Sequence, residues 1–345
     1  MRKGISIYLG MEKTWTENKQ LMVSAAQLGF TEVFLSLHIP EANQSAIQEE
    51  LVLVVQAAEK LGLKLIADIT ATTQVEQGIT CVRLDDGFTP AMMAEYLQEQ
   101  QDHEIVLNAS TIQKTELQEL QSLQVDFSRV KALHNFYPRA GTGLSIEFFQ
   151  KQNALLKEYG IEVGAFVPSE VGKRGPVFKG LPTLECNRNS MAGYAARLLA
   201  VLGVDLIIIG DSGPNALELQ AVAEVEDGIN LYLNAATLAP WLKAFLSHTF
   251  TTRLDEAECV VRAVEGRSLA KNLDITPENI RNRDKGTVTI DNKGAGRYKG
   301  ELEIVLSDLP SDPTVNVIGM ISSADMKLLA YRKPGMKFRF MLASF

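Results

Sequence analysis

Short apolar runs alternate along most of the chain with longer segments in which apolar residues recur at helical spacing. Several of the short runs are rich in Ile and Val, and polar residues, Gly or Pro follow them, which is typical of strands. The eight predicted strands are Ile5–Leu9, Glu32–Leu37, Lys64–Ile69, Cys81–Leu84, Ile105–Leu107, Lys131–Phe136, Glu162–Val167 and Leu206–Ile209. The predicted helices are Thr16–Leu28, Ala46–Leu61, Thr89–Gln98, Thr115–Leu123, Ile146–Tyr159, Ser190–Leu202 and Asn215–Val225, with one or two helical turns near Gln74.

Eight strands with intervening helices match the order and length of a (β/α)8 barrel, the TIM barrel. A doubly wound open sheet is the alternative. That fold would favour a Gly-rich phosphate loop after the first strand, and the segment Tyr8–Glu12 does not match G-x-G-x-x-G. The pattern therefore favours the barrel.

The pattern changes after about Ala235, where strands and turns replace the alternation of strand and helix. We therefore predict a barrel domain over residues 1–235 and a small, mostly β domain over residues 236–345. The strands predicted in the small domain are Thr287–Ile290, Glu301–Leu306, Val315–Ile321, Lys327–Tyr331 and Lys337–Leu342.

The composition is that of a globular protein and argues against several functional classes. Of the 345 residues, 46% are hydrophobic and 22% are charged, and the net charge of −8 argues against a nucleic-acid surface. Three cysteines without C-x-x-C spacing argue against a disulfide framework or a zinc site. No apolar run approaches the length of a membrane span, and no apolar leader follows Met1, so the expected compartment is the cytoplasm.

Polar side chains are concentrated where the predicted strands end, and the segment from His134 to Arg139 is the most informative example. It places a His, an Asn, a Tyr and an Arg almost in succession, whereas core positions would be apolar. Because ligands of a (β/α)8 barrel bind at the carboxyl ends of its strands, we predict a substrate site there. A structural His and Asn at a tight turn is the alternative. The predicted substrate-binding residues are Tyr8, Glu12, Asp68, Arg83, Asn108, His134, Asn135, Tyr137 and Arg139.

Two carboxyl groups facing each other across a pocket can hydrolyse a glycosidic bond, one as proton donor and the other as nucleophile or base. We predict Glu185 as the proton donor and Asp85 as the nucleophile or base, because both follow barrel strands. The alternatives are that Asp85 caps a helix or pairs with Arg83, and that the loop holding Glu185 is a solvated lid.

The long loop after the seventh predicted strand is basic, as a phosphate-binding loop would be. Four histidines without metal-ligand spacing argue against a histidine-built zinc site, and we expect no cofactor. The predicted phosphate-binding residues are Arg174, Lys179 and Arg188 of this loop, and Arg281 and Arg283 of the small domain.

Motifs spread over nearly the whole chain carry a family resemblance. They are Gly4-Ile5-Ser6-Ile7-Tyr8, Arg83-Leu84-Asp85, Leu107-Asn108-Ala109-Ser110, His134 to Pro138 with Thr142 to Ser145, Gly180-Leu181-x-Thr183-Leu184-Glu185, Ile290-Asp291-Asn292, and Gly296-x-Tyr298-x-Gly300-Glu301-Leu302. Together they resemble the bacterial 6-phospho-N-acetylmuramidases. The resemblance implies a barrel followed by a cyclophilin-like β domain.

The same resemblance implies intracellular hydrolysis of the β-1,4 bond between MurNAc 6-phosphate and GlcNAc during peptidoglycan recycling. The phosphorylated amino-sugar disaccharide is thus the expected partner. This chain departs from the family after Tyr8, where Pro-Glu would be expected directly, so Glu12 would be the equivalent acid. A phosphosugar isomerase or aldolase on the same barrel and a non-catalytic sugar-phosphate-binding protein are the alternatives. The sequence leaves the oligomeric state open, a homo-oligomer included.

Overall fold

The computed structural model describes residues 1–37, 44–70, 75–84, 87–235 and 238–342, and a closed barrel of eight parallel strands forms its first part. Each strand pairs with the next, and the eighth pairs with the first, so the predicted TIM barrel is confirmed. The barrel strands are β1 Arg2–Ile7, β2 Glu32–Ser36, β3 Lys64–Ile69, β4 Cys81–Leu84, β5 Glu104–Asn108, β6 Val130–Leu133, β7 Glu162–Val167 and β8 Leu206–Ile209.

Helices alternate with these strands along the sequence, as the periodicity predicts. The bounds are α1 Trp15–Gln27, α2 Gln44–Leu61, α3 Pro90–Glu99, α4 Lys114–Ser122, α5 Ile146–Glu158, α6 Ala192–Val201 and α7 Ala216–Ala223. Capping side chains fix several starting points, for example Thr14 before α1 and Ser145 before α5, each of which accepts a main-chain N–H of the first turn. The helix predicted near Gln74 falls on residues outside those described, and residues 75–80 contain only a turn.

The barrel interior is filled by every second residue of its strands, as the alternation of side chains in a strand requires. Apolar residues occupy the middle layer, where Phe34 and Phe166 meet edge to face with ring centroids 5.2 Å apart. Ion pairs close the amino-terminal end, where Glu104 binds Lys64 at 2.6 Å and Lys131 at 2.7 Å. The same alternation directs polar residues inward at the carboxyl end. They are Ser36, Asp68, Arg83, Asn108 and Asn135.

The second part of the chain forms a compact unit with a seven-stranded mixed sheet of order β10-β15-β9-β14-β12-β13-β11. Its strands are β9 Ile229–Asn234, β10 Phe250–Thr251, β11 Val260–Arg262, β12 Thr287–Asp291, β13 Leu302–Val305, β14 Val315–Ile321 and β15 Lys337–Leu342. Short helices accompany it, namely α8 Pro240–Leu246, α9 Gly266–Leu269 and α10 Ser323–Leu328.

Two expectations for this region need correction. The first compact unit ends at Val225 and the second runs from Glu226, with Ala200–Gly203, so the boundary predicted after Ala235 falls beyond the first strand of the second sheet. The strand predicted at Lys327–Tyr331 is wrong. Ser322 caps α10 by accepting the main-chain N–H of Asp325 at 3.1 Å, and a 3-10 turn continues the helix.

Among the described residues, no helix combines the length and the apolar character that a bilayer crossing requires. Within the same ranges, no group of three or more His, Cys, Asp and Glu side chains is arranged to hold a metal ion.

Candidate active site

A buried polar network joins three strands at the carboxyl end of the barrel. Arg83 of β4 donates to Asp68 of β3 at 2.7 Å and also to the side-chain oxygen of Asn135, which follows β6. Arg83 is 3% exposed and Asp68 6%, so this is a desolvated ion pair. The structure thus brings together three residues that the sequence predicts as substrate-binding.

Arg174, from the loop after β7, lies against the aromatic rings of the barrel mouth. The central carbon of its guanidinium is 4.4 Å from the centroid of the Tyr8 ring and 5.1 Å from that of Phe136. Its Nε donates to the carbonyl of Gly175 at 3.2 Å, while its buried Nη1 has no hydrogen-bond partner among the described residues. A buried guanidinium with an unsatisfied N–H is a ready donor for an oxyanion.

Tyr8 is held in a fixed orientation beneath this guanidinium. Its hydroxyl donates to the carbonyl of Gly210 at 2.5 Å, and burial raises the pKa of the Tyr8 phenol well above its usual value. The phenol therefore stays neutral and leaves its ring face to Arg174.

Asp211 shapes the loop that presents Arg174. Its carboxylate accepts the main-chain N–H groups of Ser169 at 2.8 Å, Arg174 at 2.9 Å and Leu181 at 3.1 Å. Burial raises the pKa of Asp211, and the three N–H donors oppose that shift. Glu12 holds the same loop from the other side, because its Oε1 accepts the N–H of Gly175 at 3.0 Å.

Glu185 is engaged by four donors at once. Arg188 donates to it through Nε at 2.7 Å and Nη2 at 2.6 Å, and the main-chain N–H groups of Gly141 and Gly143 each donate at 2.8 Å. The Arg188 hydrogen bonds, with those of Gly141 and Gly143, lower the pKa of Glu185 to about 2. This environment argues against the predicted proton-donor role, because a general acid must hold its proton near neutral pH.

Only glycine fits at position 143 in this arrangement. A Cβ on Gly143 would lie 2.7 Å from the main-chain nitrogen of Glu185, closer than real Cβ contacts. The loop after β6 and the loop after β7 are thus fastened together, and Tyr137 joins them further by donating its main-chain N–H to Pro182 at 3.0 Å.

The hydrogen bonds of Arg188 join these two loops and are not directed toward a ligand. Besides binding Glu185, its Nη1 donates to the carbonyls of Tyr137 at 2.9 Å and Gly180 at 3.2 Å, and the residue is 5% exposed. The predicted phosphate-binding role of Arg188 is therefore not supported, because its donors already have protein acceptors.

His134 is fully buried and faces the helix layer rather than the barrel mouth. Its Nε2 lies 2.8 Å from the side-chain oxygen of Asn153, its Nδ1 lies 3.1 Å from the hydroxyl of Ser110, and its ring packs on Phe149 with centroids 4.5 Å apart. Since Asn153 and Phe149 belong to α5, the predicted substrate contact of His134 is not what the structure shows.

The imidazole ring of His134 instead supports the next residue, Asn135, which faces the barrel mouth. With Nε2–H donating to Asn153, Nδ1 accepts from Ser110, whose oxygen in turn accepts the main-chain N–H of Asn135 at 3.0 Å. Ser110 belongs to the motif Leu107-Asn108-Ala109-Ser110 but is not among the predicted site residues, and Asn153 is not singled out by the sequence. An amide on the buried face of an amphipathic helix, as at Asn153, was the available signal.

The neutral state of His134 predicts a pH-dependent stability. Burial lowers its pKa to about 4 from 6.5, so the unfolded chain binds the proton first and stability falls as pH drops from 6.5 toward 4. Between pH 7 and pH 5 we expect a loss of about 2 kcal/mol from this group. Urea unfolding at both pH values should show a change in the free energy of unfolding that is about 2 kcal/mol more destabilising in the parent protein and in the control His248→Asn than in His134→Asn. Contributions common to all three proteins, such as that of Asp291 with its raised pKa, cancel in this comparison. Glu185 titrates only below this window. Equal losses in all three proteins would contradict the assignment.

The remaining predicted residues have different settings. Asn108 is half-buried, and its side-chain oxygen accepts the N–H of Ser110 at 3.1 Å. Arg139 and Lys179 are exposed in their loops. Arg281 is exposed within the second unit, where Arg283 donates from Nε to the carbonyl of Pro310 at 2.9 Å. Asp85 lies outside the described residues, so its catalytic role stays a prediction.

Comparison with known proteins covers both parts of the chain. A family model described as the N-terminal part of 6-phospho-N-acetylmuramidase matches residues 3–224, and the model of the C-terminal part matches residues 231–341. Among curated proteins, none matches this chain.

Two solved structures are similar over the full length. An uncharacterised B. cereus protein superposes with a TM-score of 0.83 at 28% identity, covering 99% of each chain. A conserved Enterococcus faecalis protein of unknown function superposes with a TM-score of 0.68 at 34% identity, covering 100% of this chain and 97% of that one.

Proposed function

The chain belongs to the 6-phospho-N-acetylmuramidase family of glycosidases, and from this membership we propose that it hydrolyses the β-1,4 bond between MurNAc 6-phosphate and GlcNAc. The proposed setting is peptidoglycan recycling in the cytoplasm. The observation that supports this substrate most directly is the buried guanidinium of Arg174, whose Nη1 lacks a protein acceptor among the described residues.

The polar groups around Arg174 suit an acetylated sugar. Asn108 and Asn135 present amides from neighbouring strands, and Arg83 with Asp68 fixes the orientation of Asn135. Amides both donate and accept, so they can bind hydroxyl and acetamido groups alike. In this proposal Asn108 and Asn135 orient the MurNAc ring, while His134 acts indirectly by positioning Asn135.

The proposed chemistry uses two carboxyl groups and no cofactor. A carboxylic acid gives its proton to the glycosidic oxygen as the bond from that oxygen to the anomeric carbon breaks. The second carboxylate either attacks the anomeric carbon to form a glycosyl ester, which water then hydrolyses, or activates the water that supplies the new hydroxyl directly. We assign the second role to Asp85, as the sequence predicts. We assign the first role to Glu12, an exposed residue of the loop after β1. Its carboxylate accepts the main-chain N–H of Gly175, the residue that follows Arg174.

Glu185 takes no proton-transfer step in this proposal. Its contribution is to hold the loops after β6 and β7 together through Arg188, Gly141 and Gly143. Such positioning matters because a displacement of about 1 Å in a reacting geometry can lower a rate by about a hundredfold.

The phosphate preference provides the direct test. We expect the parent protein to hydrolyse the 6-phosphorylated disaccharide far faster than the unphosphorylated one, because a dianion gains charge-assisted bonds to Arg174. Arg174→Gln should lower kcat/KM for the phosphorylated substrate by about a hundredfold and remove most of the preference. The reason is that a hydrogen bond to a charged group contributes about 1.5–3 kcal/mol. The neighbouring substitution Lys173→Gln is the matched control and should leave the preference in place. Equal rates of the parent protein on the two disaccharides would refute the phosphate site.

A further inference from the structure

Phe178, in the loop after β7, combines two features that rarely occur together in a bulky residue. Its side chain is 58% exposed, and its backbone has a φ of +53°, in the left-handed region that favours glycine. For an aromatic residue this conformation is strained, and strained residues cluster at ligand sites. Folding alone does not account for it, because an exposed ring contributes little burial and a Gly there would relieve the strain.

The surrounding contacts place this ring beside the candidate active site. The N–H of Phe178 donates to the carbonyl of Arg174 at 3.2 Å, which closes a turn. A Cβ built on Gly175 would lie 3.0 Å from Cζ of Phe178, so the ring rests against that glycine. The N–H of the same Gly175 donates to Glu12, and Arg174 lies over the ring of Tyr8. Phe178 is therefore joined by one turn of chain to the proposed anion-binding residue Arg174, and it rests on Gly175, which binds the proposed acid Glu12.

We infer that the exposed ring of Phe178 is the platform on which the GlcNAc unit of the substrate rests. This inference depends on the proposed function. A pyranose presents a face of C–H groups that carry small positive partial charges, and the face of an aromatic ring carries the negative part of its quadrupole. Contact between the two faces also removes apolar surface of both partners from water.

The charges assign the two sugar units to different places. MurNAc 6-phosphate carries both the phosphate and the lactyl carboxylate, so it belongs with the buried Arg174. GlcNAc is neutral, and the exposed Phe178 with the adjoining Val177, which is 38% exposed, offers it an apolar surface without a charge. A specificity-determining residue at this place should act on the leaving sugar and hardly at all on the bond-breaking step.

The experiment compares two substrates that differ only in the leaving group. One is the phosphorylated disaccharide, and the other is the β-fluoride of MurNAc 6-phosphate, which has no second sugar. Phe178→Ala should lower kcat/KM for the disaccharide by about tenfold, mainly through KM, because the GlcNAc unit loses the apolar surface on which it rests. It should leave the rate on the fluoride unchanged. Phe178→Trp should retain activity on the disaccharide. The control Val171→Ala, at another exposed apolar residue of the same loop, should change neither rate appreciably.

The outcomes separate this inference from the proposed function. If Phe178→Ala slows both substrates equally, or neither, the platform is refuted while the glycosidase function stands. If the parent protein hydrolyses neither substrate, the proposed function itself is wrong, and the platform with it. Phe178→Gly provides a control for folding. Relief of the strained φ should raise its Tm above that of Phe178→Ala, while the loss on the disaccharide persists.

Discussion

Replacing Asp85 by Asn is expected to lower kcat on the phosphorylated disaccharide by about three orders of magnitude or more, with the fold intact. An amide can neither attack the anomeric carbon nor accept a proton from water, and such roles supply factors of about 10²–10⁴ or more. Glu185→Gln should behave differently and keep kcat within about tenfold of the parent value. Its carboxylate binds Arg188 and two main-chain N–H groups, and the amide oxygen preserves part of that binding.

The two amide substitutions should therefore be measured together with Glu12→Gln, by steady-state kinetics at constant pH. If Glu12 is the proton donor, its variant should lose the alkaline limb of the pH–rate profile as well as most of kcat. A thousandfold loss in Glu185→Gln with an unchanged Tm would return the proton-donor role to Glu185. Near-normal turnover of Asp85→Asn would remove Asp85 from the mechanism.

Arg83→Met is expected to destabilise the protein by about 3–5 kcal/mol, the range found when one member of a buried ion pair is removed. Met roughly preserves the volume, so the loss reports the charge that Asp68 then keeps without the Arg83 guanidinium. Chemical denaturation gives the free energy of unfolding, and Arg139→Met, at an exposed position, is the matched control.

A double variant identifies the origin of that loss. Adding Asp68→Asn to Arg83→Met should recover part of the stability, because the buried negative charge disappears. Additive losses in the double variant would mean that the pair is not energetically coupled. Arg83→Met should also lower kcat/KM, because Asn135 loses the donor that orients it.

The barrel could be predicted from sequence because its strands are buried on both faces. A run such as Leu206–Ile209 is apolar at every position, and its predicted bounds agree with the structure, as do those of Lys64–Ile69. The second sheet was harder. Ile229–Asn234 alternates apolar and polar residues, which is typical of a strand, but the boundary predicted after Ala235 places it in the barrel domain. Its sheet partners come from distant parts of the sequence, which local periodicity does not reveal.

The candidate site was predictable only as far as the strand ends determine it. Asp68, Arg83 and Asn135 do converge, because every second residue of a barrel strand faces inward. The same rule turns the side chain of His134 outward and that of Asn135 inward. A shift of one residue along the strand would exchange these two orientations. The pairing of Glu185 with Arg188 could have been suspected from their spacing of three residues. The N–H donors of Gly141 and Gly143 could not, since they depend on how two loops meet.

The position of β9 in the second sheet has a consequence for biosynthesis. β9 is the first strand of its sheet to leave the ribosome, yet it lies between β14 and β15. Its parallel partner β15, Lys337–Leu342, is synthesised about a hundred residues later. The eight barrel strands are complete by Ile209, so the barrel can close while the second sheet still lacks a central pairing. Until β15 emerges, the main-chain N–H and C=O groups on that edge of β9 are open to pairing with other nascent chains, as those of any unpaired strand are. In a translation product that stops before Lys337, this edge of β9 would stay unpaired. Such a chain would be prone to aggregation and a substrate for quality-control proteases.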